Sequence, residues 1–120
     1  MAQENGKRRS QPELRTERVA PRGNELDELY RTVLGLDSLA EARRFFADLC
    51  TPKELEAMRD RWRVARLIER GLSYREIRET TGVSTATITR VGRALAYGSG
   101  GYRRQLDSET RRRARRKDRR

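Results

Sequence analysis

Residues 73–97 read SYREIRETTGVSTATITRVGRALAY, and two helix starts stand in that run only eleven residues apart. Ser73 and Glu76 have the three-residue spacing of a capping box, in which the hydroxyl takes an orphan amide proton and the carboxylate reaches back to the cap. The helix they open must stop at Gly82, because Ser84 offers a new cap two residues later. A short helix, a tight turn at Thr81-Gly82-Val83 and a second helix through about Ala96 have the lengths of a helix-turn-helix. Ile77, Val83, Ile88 and Val91 fall where two crossed helices must pack, and Gly82 falls where the turn needs positive φ.

The second helix has two unlike faces. Taking Ile88 as zero at about 100° per residue, Val91 and Leu95 lie within about 60° of it, whereas Ala86, Arg93 and Arg90 lie at about 140–200° and Thr89 at about 100°. One face packs and the other presents arginine and threonine. Ser84, Thr85, Ala86 and Thr87 at the amino end are small enough to approach base edges, and Arg90 or Arg93 can reach guanine or phosphate. Arg75 and Arg78, on the preceding helix, are placed toward a nucleic-acid backbone. Any one such residue is ordinary on a solvent face. The combination of two capped helices, a glycine turn and an acid-free outer face points to nucleic acid.

Outward from this unit, three more helices precede it. Leu26, Leu29, Tyr30, Val33 and Leu34 recur at helical steps until Gly35. After Asp37 and Ser38, which can cap, Leu39, Ala42, Phe45, Phe46, Leu49 and Cys50 repeat the pattern. Thr51-Pro52-Lys53-Glu54 is a strong start, with proline suited to the first helical position. The helix it opens carries Leu55, Met58, Trp62 and Ala65 to about Arg70, with Gly71 as a left-handed stop. Trp62 reads as core, within or between chains, rather than as a ligand-stacking residue. Gly98-Ser99-Gly100-Gly101 lacks the lysine and strand of a phosphate loop and reads as a flexible joint before Tyr102 to Leu106.

The 120 residues hold 29 Lys and Arg against 18 Asp and Glu, a net charge of +11. Its distribution matters more than its sum. Residues 1–24 hold 6 basic and 3 acidic side chains, residues 25–106 hold 15 and 12, and residues 107–120 hold 8 and 3. The excess therefore sits mostly in two flanks without apolar period, which give salt-sensitive, sequence-blind attraction to phosphates. Residues 1–23 read as a disordered basic arm, 24–106 as the helical domain, and 107–120 as an arginine-rich tail, disordered or a fraying helix.

With 34% hydrophobic and 6% aromatic residues, the chain has little with which to fill a core alone, so a partner subunit is expected. Absence of histidine and a single cysteine, Cys50, exclude a Cys/His metal cluster, an intrachain disulfide and a histidine-dependent triad. Cys50 is expected to be packed. No apolar run approaches a membrane span, and no signal segment follows Lys7-Arg8-Arg9, so the expected place is the cytoplasm, in association with the nucleoid. No paired-carboxylate setting or phosphate loop speaks for an enzyme.

Thr51-Pro52-Lys53-Glu54, Arg61, Arg70-Gly71, Ser73, Arg75-Glu76-Ile77, Gly82 and above all Ala86-Thr87-Ile88-Thr89-Arg90 resemble the Trp repressor superfamily. Glu25-Leu26-Asp27-Glu28-Leu29, Arg44-Phe45-Phe46-Ala47-Asp48-Leu49-Cys50 and Ser84 to Val91 look like its YerC/YecD-type branch, over roughly residues 24–106. The resemblance implies an all-α fold of about six helices, in which two chains interlock through their amino-terminal helices. Leu29, Tyr30, Leu34, Leu39, Phe45, Phe46, Met58 and Trp62 are the candidate dimer core. It further implies a homodimeric, sequence-specific transcriptional regulator of double-stranded DNA, a repressor, with half-sites one helical turn apart.

In the tryptophan-binding member an indole lies between two arginines, matched here by Arg61 and Arg90. The glycine after the second arginine is Val91 here, and a serine that holds the ligand's amino group is Ala94. A valine would intrude on the indole space, so tryptophan is not the expected effector, no cofactor is expected, and another small molecule is left open. The competing reading is a nucleoid- or RNA-associated architectural protein whose basic tail dominates binding.

Overall fold

The computed structural model describes residues 23–119. They form α1 (Gly23–Leu34), α2 (Leu39–Leu49), α3 (Pro52–Glu69), α4 (Tyr74–Thr81), α5 (Thr85–Tyr97) and α6 (Gly101–Asp118). Among the described residues the architecture is therefore all-α with six helices. The arm expected over residues 1–22 lies outside them, and Gly23, assigned to that arm, already begins α1.

The chain divides into two compact units, one ending at Phe46 and the other beginning at Ala47. In the first, α1 and most of α2 are amphipathic, yet neither helix has a buried residue. Ser38 accepts the Glu41 amide proton at 3.1 Å, and the Glu41 carboxylate accepts from the Asp37 amide at 2.8 Å, which fixes the entry into α2. Phe45 and Phe46 meet edge to face with centroids 5.5 Å apart. Of the candidate dimer core, Leu29, Phe45 and Phe46 are half-buried, whereas Tyr30, Leu34 and Leu39 are exposed.

The second unit closes a core of its own. Val64 and Ala65 of α3, Ile77 of α4, Val83 of the turn and Ile88 and Val91 of α5 are each at most 7% exposed. Trp62, Leu67, Ile68, Leu72, Leu95 and Tyr102 pack around them. Trp62 is half-buried against this core, its ring stacked on Tyr102 at 6.2 Å. Met58 remains exposed. Both predicted capping boxes form, Thr51 with Glu54 and Ser73 with Glu76. At the end of α3 the Gly71 amide donates to the Ile68 carbonyl at 2.9 Å and the Leu72 amide to Leu67 at 3.2 Å, the paired bonds of a Schellman stop.

The tail differs from its expectation. Gly98 to Gly100 make the turn, and α6 then runs unbroken to Asp118 through the segment read as disordered or fraying. Its first half is held by contacts that no hydrophobic period announces. Leu106 is buried, and Arg103 makes a two-pronged pair with Glu69 at 2.9 and 3.0 Å. Arg66 of α3 meets Glu109 at 3.2 Å. Glu109–Arg113 and Arg103–Asp107 add pairs one turn apart, and arginine, lysine and alanine are strong helix formers.

Candidate nucleic-acid interface

The turn between α4 and α5 is fixed by one hydroxyl and one glycine. Thr81 donates to the Ile77 carbonyl at 2.7 Å and accepts from the Val83 amide at 3.0 Å, so a single side chain ends α4 and orients the residue that plugs the core. Gly82 caps α4 with φ of 76°, the left-handed conformation the sequence required. Ser84 then starts α5 by accepting the Thr87 amide proton at 3.2 Å.

A second close approach joins α4 and α5. A Cβ added to Gly92 would run into the Tyr74 hydroxyl, so glycine at this point of α5 lets the first residue of α4 lie against it. With Ile77, Ile88 and Val91 wholly buried on the inner side, the outward face of α5 is determined. Thr85, Ala86, Thr89, Arg90 and Arg93 are exposed on it, and α5 contains no acidic residue.

The other candidate positions are placed differently. Ser84 and Thr87 spend their hydroxyls on each other, at 3.1 Å, and on the cap, and Thr87 is half-buried. Arg78 is exposed on α4. Arg75 pairs with Glu79 at 3.3 Å, both side chains well exposed. Such an exposed pair contributes little in water.

Arg61 and Arg90, the two arginines of the implied effector site, have different surroundings. Arg61 is half-buried and lines a groove of about 420 Å³ with Leu49, Cys50, Glu54, Ala57 and Met58, whereas Arg90 stands exposed on α5. Cys50 is a free, half-buried thiol on that groove rather than a packed core residue. Val91 is 1% exposed, its isopropyl group built into the core. A second, largely apolar cleft of about 530 Å³ lies between Trp62, Ala94, Tyr102, Gln105 and the glycine turn. No group of three His, Cys, Asp or Glu side chains among the described residues could hold a metal ion, and no described helix is long and apolar enough to cross a membrane.

Thr81, Gly92 with Tyr74, and the Glu69–Arg103 pair escaped sequence reasoning. Thr81 left a usable sign, a hydroxyl four residues after a core isoleucine and directly before the turn glycine. Glu69 and Arg103 are 34 residues apart and left none.

Comparison with known proteins agrees over nearly all of this region. The family model for the Trp repressor protein matches residues 24–110. The protein YerC of Bacillus subtilis (strain 168), itself uncharacterized, is 48% identical over 86 residues, covering 72% of this chain and 83% of that protein. The crystal structure of a candidate Trp repressor from Staphylococcus aureus superposes with a TM-score of 0.71 at 42% identity, over 74% of this chain and 89% of the other. That of a TrpR-like protein from Eubacterium eligens ATCC 27750 gives 0.71 at 38% identity, over 74% and 92%.

Proposed function

This chain belongs to the Trp repressor family, in its YerC-type branch, and from that membership and the geometry of α4 and α5 we propose that it is a homodimeric, sequence-specific transcriptional repressor. The observation that carries this reading is the outer face of α5. A hydroxyl-pinned turn and a buried inner face leave Thr85, Ala86, Thr89, Arg90 and Arg93 as an acid-free exposed strip. Small residues at its amino end suit entry into a major groove, and the two arginines suit guanine or phosphate. Ser84 and Thr87 set the start of the helix, while Arg75 and Arg78 reach flanking phosphates. The partners are double-stranded DNA and a second copy of the chain, in the cytoplasm at the nucleoid.

Dimerisation is supported by the exposed apolar side chains of the first unit, since Leu34 is 83% and Leu39 67% exposed. A second copy that covers them brings two reading helices to half-sites one helical turn apart. Tryptophan is not the effector in this reading. Val91 supplies a bulky side chain where the tryptophan-binding repressor has none, and Ala94 offers no hydroxyl to an amino group.

Selection from random duplex DNA with purified protein, with and without tryptophan, tests the reading. A recovered motif with two half-sites, unchanged by tryptophan, is expected. Equal recovery of all sequences would leave only a sequence-blind binder, and tryptophan-dependent enrichment would overturn the assignment of Val91. Arg93→Ala should flatten the salt dependence by about one unit if the arginine holds phosphate, or relax one base preference if it reads guanine.

A further inference from the structure

The last turns of α6 carry a feature that neither the family match nor the reading helix accounts for. The nine residues 111–119 are seven Arg or Lys, one Ala and a single acid, Asp118. All nine are exposed, and the family match ends just before them, at residue 110. Because the segment is helical to Asp118, Arg112, Arg115, Arg116 and Arg119 recur at steps of three, one and three and share a face, where they line a common groove. Arg113 points to Glu109 and Arg112 donates to Ser108, but Arg115, Arg116 and Arg119 have no ion-pair partner among the described residues.

Basic residues in a last helical turn complement the helix dipole, and Arg115, Arg116 and Lys117 serve that end. The dipole does not account for basic residues that begin at Arg111, well before the last turn. Arginines four apart on a helix repel each other, so Arg112 with Arg116 and Arg115 with Arg119 cost helix stability until an anion lies between them. The row also has a length. Arg112 to Arg119 spans about 10.5 Å of helix axis at 1.5 Å per residue. Phosphates of one strand of duplex DNA recur about every 3.4 Å along its axis, so the row matches about three of them.

We propose that the carboxyl-terminal part of α6 is a second, sequence-blind phosphate grip for duplex DNA, with Arg112, Arg115, Arg116 and Arg119 as the gripping residues. It is an ordered arm rather than a loose tail. The Glu69–Arg103 and Arg66–Glu109 pairs tie its first half, in which Leu106 is buried, to α3, which shares a core with the reading helix. The choice of duplex DNA as the occupant rests on the reading of α5 given above.

The test compares the full chain with a variant in which Arg112, Arg115, Arg116 and Arg119 are all replaced by Ala, which favours helix and should leave the fold intact by circular dichroism. Both are titrated with salt on a random-sequence duplex, on the duplex recovered by selection and on single-stranded RNA of equal length. The four-alanine variant should lose about three units of salt slope on both duplexes, and about tenfold or more in affinity, while the ratio between the duplexes stays at its wild-type value. Unchanged slope on duplex DNA overturns the grip, even where the wild-type preference for the selected duplex upholds the role of α5. A lowered slope in a protein with no sequence preference upholds the grip and rejects the specific regulator. A loss confined to RNA overturns duplex DNA as the occupant. Truncation after residue 110 should reproduce the four-alanine result, and a truncated chain that keeps the full wild-type slope overturns the grip independently.

Discussion

The two units of this chain are written in the same amphipathic pattern and finish it differently. In α1 and α2 the apolar positions recur at helical steps, yet neither helix buries a residue. In α3, α4 and α5 a similar pattern puts Val64, Ala65, Ile77 and Ile88 at 0% exposure. The second unit has three helices crossing around one point and a turn residue, Val83, to plug the centre. The first has two short helices, too few to surround an apolar side chain. Periodicity therefore declares that a face will be covered, and the number of local neighbours decides whether the same chain covers it.

Replacing Ile88 by Ala should break the self-sufficient unit, at a cost of roughly 2–5 kcal/mol for a fully buried aliphatic side chain. Chemical denaturation followed by circular dichroism would register it, and a loss below about 1 kcal/mol would mean that this core is not what holds α5. Leu34→Glu together with Leu39→Glu probes the other side of the contrast. These exposed positions should leave the helical content intact but weaken self-association about tenfold or more, because a charge would enter the interface. Sedimentation at several concentrations reads the result, and an unchanged mass would remove the dimer role from this face.

Thr81→Val keeps the size of the side chain and removes the hydroxyl. Losing the acceptor of the Val83 amide should cost about 1–3 kcal/mol and lower affinity for the selected duplex. A variant with wild-type denaturation midpoint and affinity would show that the glycine alone fixes the turn.

The smallest effect concerns the attachment of α6. Hydrogen bonding to Arg103 holds the Glu69 carboxyl below its ordinary range, against a partial opposing effect of desolvation, and Glu69 in turn raises the Arg103 guanidinium. A carboxylate whose folded value is depressed stabilises the fold fully above its unfolded value and loses that contribution as pH falls through the folded one. Helical signal from α6 should therefore decline modestly as pH drops below the ordinary glutamate range. Glu69→Gln should show less of that decline, and identical acid profiles for the two proteins would assign it to other carboxylates.

Much of the helix-turn-helix was legible because its signals are local. A cap at Ser73, a carboxylate at Glu76, a glycine at Gly82 and a new cap at Ser84 each act within one turn of helix, and all four adopt the expected conformation. The outer face of α5 followed from the same regularity, since Ile88 and Val91 fix the inner one. Thr87 shows the limit. It lies at the amino end expected to approach bases, yet its hydroxyl meets Ser84, because capping places those two side chains together.

The segment after Leu106 shows the opposite weighting. Judged by apolar period it looked like a tail, yet helix propensity, pairs such as Glu109–Arg113, and the distant partners Glu69 and Arg66 outweigh that absence. Arg61 and Arg90, paired by the resemblance around one ligand, likewise have different surroundings, the first half-buried on a groove and the second exposed.

The sequence by itself determined where α3, α4 and α5 start and stop, which face of α5 must be inward, and to which family the chain is similar, because caps, glycines and helical period act over a few residues. Only the tertiary structure decided that α3, α4 and α5 close a core within one chain while α1 and α2 do not, that Trp62 spends its ring on Tyr102, and that the arginine-rich end stands as an ordered arm. Those outcomes depend on pairs such as Glu69 and Arg103, which meet only after the chain has folded and which no spacing along it records.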